Sequence, residues 1–238
     1  MIILQKGKAG EYSLVFVIVL VTIAAAVLLS LQVKKALKDV DAGLNEGKYI
    51  LIDPGHGGRD GGASGADGTV EKDINLAISL PLYDILKFLG YEVEITREDD
   101  RMTCDPGLKT LREQKVSDMK NRLKLYDKSR LTISIHQNHF PQTQYYGTQI
   151  WYGVKNGESK ELGTVVRQTV LGLIQPDNKR ELKKAASDVY LLSNTTAPAI
   201  IVECGFLSNP GELQKLKDRG YQKKMAYAIA CGVVAYNP

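Results

Sequence analysis

Two histidines and two glutamates stand where an α/β protein keeps its chemistry. In residues 50–63, I-L-I-D-P-G-H-G-G-R-D-G-G-A, His56 follows an apolar run and lies among five glycines between Gly55 and Gly62. Ile50, Leu51 and Ile52 read as a buried strand that Pro54-Gly55 ends. His56 is therefore expected at the strand's carboxyl end, the edge at which open α/β sheets bind ligands. Glycines around it permit positive φ and close approach to a ligand. A second run, I-S-I-H, ends at His136 and should bring that histidine to the same edge. Glu71 opens E-K-D-I-N-L fifteen residues after His56, near enough for the glycine loop to fold back on it. Two neutral imidazoles and one carboxylate form the donor set of a catalytic zinc that keeps its fourth position open. Glu71 taken alone would equally suit a helix N-terminus, where the macrodipole favours negative charge.

Glu203 ends the apolar run A-I-I-V-E, a place where a carboxylate is costly to bury without work to do. Beside an activated water it would serve as general base, taking a proton during attack on a carbonyl and passing it to a leaving nitrogen. The alternative for Glu203 is a buried ion pair with Arg97 or Arg180. Asn138, His139, Arg97 and Arg180 are the candidates for touching substrate or supporting the ligands. His139 should point away from its neighbour His136 and is read as a rim residue.

These residues need a scaffold, and the alternation of strand-like and helix-like segments supplies one: an α/β fold with a mostly parallel, roughly six-stranded central sheet and helices on both faces. Strands are expected over 49–53, 91–96, 131–136, 147–152, 189–192 and 199–203. Helices are expected over 72–89, 116–128, 159–174 and 221–236. In the first, Ile74, Ile78, Leu82, Ile85 and Leu89 recur at helical spacing and Gly90 marks the stop. Segments 97–111 and 177–188 read as long loops on the active edge.

The chain has 238 residues and a 44% hydrophobic fraction, enough for one domain and an appendage. Residues 14–31 carry no charge and would span about 27 Å as a helix, close to a bilayer's hydrocarbon core. They are read as an uncleaved signal anchor, or a signal peptide, after a short basic N-terminus (1–13) and before a stalk (32–47); the catalytic domain occupies 48–238. Charges flanking the run balance and leave orientation undecided. Three cysteines without C-x-x-C spacing support neither a disulfide framework nor a cysteine zinc site. The net charge of +4 is mild, and the basic stretches lack the aromatic interleaving of a nucleic-acid groove, so no nucleic-acid partner is expected. A phosphate loop is excluded, since no G-x-x-x-x-G-K-[ST] pattern occurs.

The motifs D-P-G-H-G-G-x-D-x-G-A, E-K-D-I-N-L, S-I-H-x-N and I-V-E-C-G-F-L-S-N, in order between Tyr49 and Tyr236, resemble those of the zinc-dependent N-acetylmuramoyl-L-alanine amidases of amidase type 3. The resemblance implies that His56, Glu71 and His136 hold zinc and that Glu203 is the catalytic glutamate. It implies cleavage of the amide between N-acetylmuramic acid and L-alanine in peptidoglycan by a domain outside the cytoplasm, membrane-anchored or secreted. W-Y-G-V-K-N-G-E-S and Q-P-D-N-K-R-E-L-K are similar to the germination-specific branch in endospore formers. That similarity implies removal of stem peptides from spore cortex before muramic δ-lactam forms. Control by a protein activator, frequent in the family, is also implied. His139 departs from the pattern, which usually has alanine there. A zinc peptidase or carboxypeptidase acting on stem peptides, and a catalytically silent wall-binding protein, are the competing functions.

Overall fold

The computed structural model describes residues 49–238 together with Gln32. The expected anchor over 14–31 lies outside the described residues, and among these no helix is long and apolar enough to cross a membrane. Strand β1 (Ile50–Pro54) is buried along its whole length and lies between β2 (Val93–Ile95) and β3 (Leu131–Asn138), parallel to both. Strand β6 (Ala199–Phe206) adds in parallel to β3. Strand β4 (Gln149–Tyr152) then runs antiparallel to β6, and the two-residue β5 (Lys183–Lys184) follows β4, completing the order β2-β1-β3-β6-β4-β5. The sheet is mixed: four neighbouring strands run one way and two run the other.

Strand alternation divides the core into two layers. Ile50, Ile52, Ile133, Ile135, Ile200 and Val202 face one side, where they meet α1 (Glu71–Phe88), α3 (Glu158–Leu173), α5 (Pro210–Lys217) and α6 (Arg219–Tyr236). Leu51 and Ala199 face the other, covered by Tyr126 of α2 (Leu111–Lys128) and by Leu191 and Leu192 of α4 (Tyr190–Asn194). In α1, Ile74, Ile78, Leu82 and Leu86 form the fully buried stripe; Ile85 packs at its margin and Leu89 is exposed.

Three elements differ from the sequence expectation, one of them helix α5, which lies between the expected strand 199–203 and helix 221–236. Residues 190–192 of the expected strand 189–192 belong instead to the short helix α4, with Val189 as its N-cap, because a four-residue apolar run has no period that separates strand from buried helix. The strand on that edge is β5 instead, inside the expected loop 177–188; both its lysines are exposed, so no apolar pattern marks it. Helix α2 also begins five residues before the expected 116, at a capping box in which Thr110 Oγ1 accepts from Glu113 N and Glu113 accepts from Thr110 N.

Candidate active site

Strand β1 delivers its chain into the glycine loop through a buried ionic support. Asp53 accepts from Thr96 Oγ1 at 2.7 Å and Ser134 Oγ at 2.9 Å, and is bonded to Tyr126 and to the Arg122 guanidinium. Burial alone would raise the Asp53 pKa, but Arg122 and these hydrogen bonds outweigh it and hold the carboxyl down at about 2. Arg122 in turn donates to Pro54 O at 3.0 Å and His56 O at 2.7 Å, with Asp118 as a second carboxylate partner. Arg97, equally buried, donates to the carbonyls of Pro54, Gly55, Lys72 and Asp99. Two guanidinium groups thus grip the turn by backbone oxygens, and within it His56 takes the left-handed conformation, φ 63°. Such a φ is uncommon outside glycine and persists where surroundings over-determine it.

The turn brings His56, Glu71 and His136 together: one donor atom from each lies within 4.8 Å of the others. Glu71 Oε1 is 2.9 Å from His136 Nδ1 and 3.3 Å from His56 Nε2. Donors about 2.0–2.1 Å from a tetrahedral zinc would be about 3.3 Å apart, so these separations fit such an ion. The remaining bonds fix each ligand. His56 Nδ1 is 2.9 Å from Asp60 Oδ2, which leaves Nε2 to face the cluster. Glu71 Oε2 accepts from Ala63 N at 2.8 Å, while Oε1 accepts from Gln137 N and from Asn75 Nδ2, an amide that also donates to Gly55 O. Two glycines are obligatory for space: a Cβ on Gly55 would stand 2.2 Å from the His136 ring, and one on Gly62, at φ +71°, 2.5 Å from Glu71 Oε2.

The charges of this cluster suit a cation. Burial would lower the His56 pKa, yet hydrogen bonding and attraction from Asp60 and Glu71 raise it to about 9. Glu71 shifts the opposite way, its burial outweighed by the two histidines, which hold it well below the usual carboxylate range. A metal ion and a proton therefore compete for the same nitrogens.

Glu203 is the direct strand partner of His136, so β6 sets it beside the cluster. Part of the residue reaches the surface, but Oε2 is enclosed and has no hydrogen-bond partner among the described residues. Burial, the dominant influence, pushes its carboxyl up to about 7. Neither arginine offered by the sequence pairs with it. Arg97 is spent on backbone carbonyls, and Arg180 stacks over the Phe206 ring, its Cζ 4.3 Å from the centroid. Asn138 ends β3 opposite Phe206, its carbonyl accepting from Leu207 N, and His139 is exposed just past the strand and is not one of the clustered donors. Sequence reasoning missed Asp60, although its position four residues after His56 in the loop was a usable sign, and it missed Asp53 and Arg122, whose pairing joins distant segments.

The N-acetylmuramoyl-L-alanine amidase family matches residues 50–235. The chain is 35% identical over 192 residues to the germination-specific N-acetylmuramoyl-L-alanine amidase of Bacillus subtilis (strain 168), covering 80% of each. Among solved structures it resembles the CwlD amidase from Clostridioides difficile in complex with the GerS lipoprotein, with a TM-score of 0.76 at 40% identity, covering 79% of this chain and 98% of that one. The catalytic domain of CwlV, an N-acetylmuramoyl-L-alanine amidase from Bacillus (Paenibacillus) polymyxa var. colistinus, gives a TM-score of 0.65 at 31% identity, over 79% and 97% of the two chains.

Proposed function

The chain belongs to the N-acetylmuramoyl-L-alanine amidase family, and on that footing we propose that it is a zinc-dependent enzyme of spore cortex in which His56, Glu71 and His136 hold the ion and Glu203 moves the proton. The family reaction is hydrolysis of the amide joining N-acetylmuramic acid to L-alanine in peptidoglycan. The observation that carries the site assignment is the convergence of three donor atoms within 4.8 Å beside a carboxyl with an oxygen that has no partner among the described residues. When bound there, zinc supplies Lewis acidity toward the amide carbonyl and the attacking water.

The protein's own groups do the rest. Glu203, a carboxyl beside the three clustered donors whose proton affinity burial raises, takes a proton from water as the carbonyl is attacked and returns it to the departing L-alanine nitrogen. Asp60 keeps His56 in the tautomer that presents Nε2, and Arg97 and Arg122 hold the turn that aims it. The cortex and germination role is supported by the relative in Bacillus subtilis, whose name is germination-specific. A protein partner is supported by the complex in which the CwlD amidase was solved. The substrate sets the catalytic domain outside the cytoplasm, and residues 14–31 are proposed to anchor it.

Digestion of purified cortex peptidoglycan by the zinc-loaded full-length chain, read by mass spectrometry, tests the reading. Intact glycan accompanied by peptides with a new L-alanine amino terminus is the expected product. Peptides shortened from their carboxyl end would identify a peptidase instead, and binding without turnover would identify a silent wall-binding protein.

A further inference from the structure

The geometry points to Arg180 as the carboxylate-binding residue of a subsite for the peptide half of the substrate, on the sheet edge that carries Glu203. This inference rests on the amidase reading and deepens it. Its first support is placement. Gln149 of β4 pairs directly with Glu203 of β6, so the two side chains leave the same face of the sheet. The Gln149 amide donates to Glu181 O, which ties the segment carrying Arg180 to the strand position opposite the general base. Phe206, over whose ring the guanidinium lies, stands three residues past Glu203 on the same strand. At a rise of about 3.3 Å per residue that offset is roughly 10 Å, the reach of about three residues of extended peptide beyond the scissile amide.

The second support is the state of the guanidinium. Its Cζ lies 4.3 Å from the Phe206 ring centroid and 5.6 Å from that of Tyr145. Nε donates to Tyr146 O at 2.7 Å, the Arg180 amide donates to Asn178 Oδ1 at 2.9 Å, and the Arg180 carbonyl accepts from Arg167 Nε. Backbone and side chain are thus held, yet neither terminal nitrogen has a hydrogen-bond or ion-pair partner among the described residues. Glu212, the acid acting on Arg180 electrostatically, uses Oε2 to accept from Gly147 N and Phe206 N. A half-buried, stacked guanidinium with two free parallel donors matches a carboxylate bidentately, a geometry that an ammonium group cannot reproduce. A guanidinium that merely capped Phe206 would not depend on the charge of the ligand.

The test uses full-length chains carrying Arg180→Lys and Arg180→Gln. Muramyl peptides that differ only in a free carboxylate or its carboxamide beyond L-alanine serve as substrates. Binding of the matching free peptides to the metal-free chain is followed by calorimetry. We expect the wild type to prefer the carboxylate by about ten- to a hundredfold. Arg180→Gln should abolish the preference through KM with kcat kept, and Arg180→Lys should restore only part of it. A preference unchanged in both variants, or equal losses of kcat and KM on both substrates, overturns the assignment. Arg180→Lys, which keeps charge and stem, decides the matter if Arg180→Gln folds poorly. Failure of the wild type to release L-alanine-terminated peptide sinks the amidase reading, whereas the calorimetric preference of the metal-free chain judges the subsite independently.

Discussion

Replacing Gly55 by alanine adds one methyl group, and the structure says where it goes. The new Cβ would lie 2.2, 2.3 and 2.7 Å from His136 Cε1, Nε2 and Nδ1, whereas ordinary contact begins at 3.4 Å. Relief therefore requires a movement of about 1.2 Å, the difference between the first and last of these distances. The turn cannot readily supply it, because Gly55 N donates to Ile135 O and Gly55 O accepts from Arg97 and Asn75. Gly55 has no positive φ, so backbone strain adds nothing and the imidazole must yield. Alterations one layer behind a metal ligand weaken affinity by about 10- to 100-fold, and displacing the ligand itself should do at least as much as the upper value. Overpacking adds about 1–3 kcal/mol of destabilisation, at about 2–4 °C of melting temperature per kcal/mol. Competition of the full-length variant against a chromophoric zinc chelator, with melting of the metal-free form alongside, measures both. Gly157→Ala, at a position with no neighbouring atom within 4 Å among the described residues, is the control. Wild-type zinc affinity in Gly55→Ala would refute the claim that His136 holds the ion in this pose.

Asp60→Asn keeps an acceptor for His56 Nδ1 but removes its charge, so zinc affinity should fall about tenfold and the His56 titration in the metal-free chain should move down from about 9, as NMR would show; an unmoved titration disproves the electrostatic coupling. Glu203→Gln should retain zinc and lose two to four orders of magnitude in rate, roughly the range for a positioned acid-base group; near-normal turnover removes Glu203 from the mechanism. The same substitution should stabilise the metal-free chain above neutral pH. Burial raises the carboxyl from 4.5 to about 7, so the folded chain holds a proton that the unfolded chain has released, and stability falls as pH rises between those values. The deficit above pH 7 is at most about 3 kcal/mol, which Gln abolishes. Urea unfolding should find the variant more stable than wild type at pH 8 and equal to it at pH 4; equal gains at both contradict the sign.

The site was legible in sequence wherever a polar residue ended an apolar run. His136 and Glu203 close I-S-I-H and A-I-I-V-E, and the structure makes them strand partners. His56 was legible from the glycines that surround it, and α1 from its repeating isoleucines and leucines. Most of what escaped lacks local pattern. Strand β5 is two exposed lysines that exist only because Trp151 and Tyr152 lie beside them. Helix α5 follows Asn209, whose side chain accepts from Glu212 N, and begins at Pro210; that signature is local and was overlooked. The Asp53–Arg122 pair joins residues 69 positions apart, and Arg122 lies on a highly charged helix in which no local pattern sets it off from the other cations.

The two sides of the cluster handle charge in opposite ways, and that asymmetry is what the chemistry needs. Beneath His56, every buried charge has a partner: Arg122 has Asp53 and Asp118, and Arg97 has four carbonyls. Buried ions satisfied in this way resist movement, since removing one partner strands the other. The ligand turn is therefore stiff enough to hold His56 at a left-handed φ of 63°. Across the cluster, Glu203 has an oxygen with no partner among the described residues, and its proton affinity is set chiefly by burial. A hydrogen bond or cation given to that oxygen would return the carboxyl toward its ordinary pKa and weaken it as a base near neutral pH. Rigidity is thus placed where an ion must be held, and an unsatisfied carboxyl is kept where a proton must come and go.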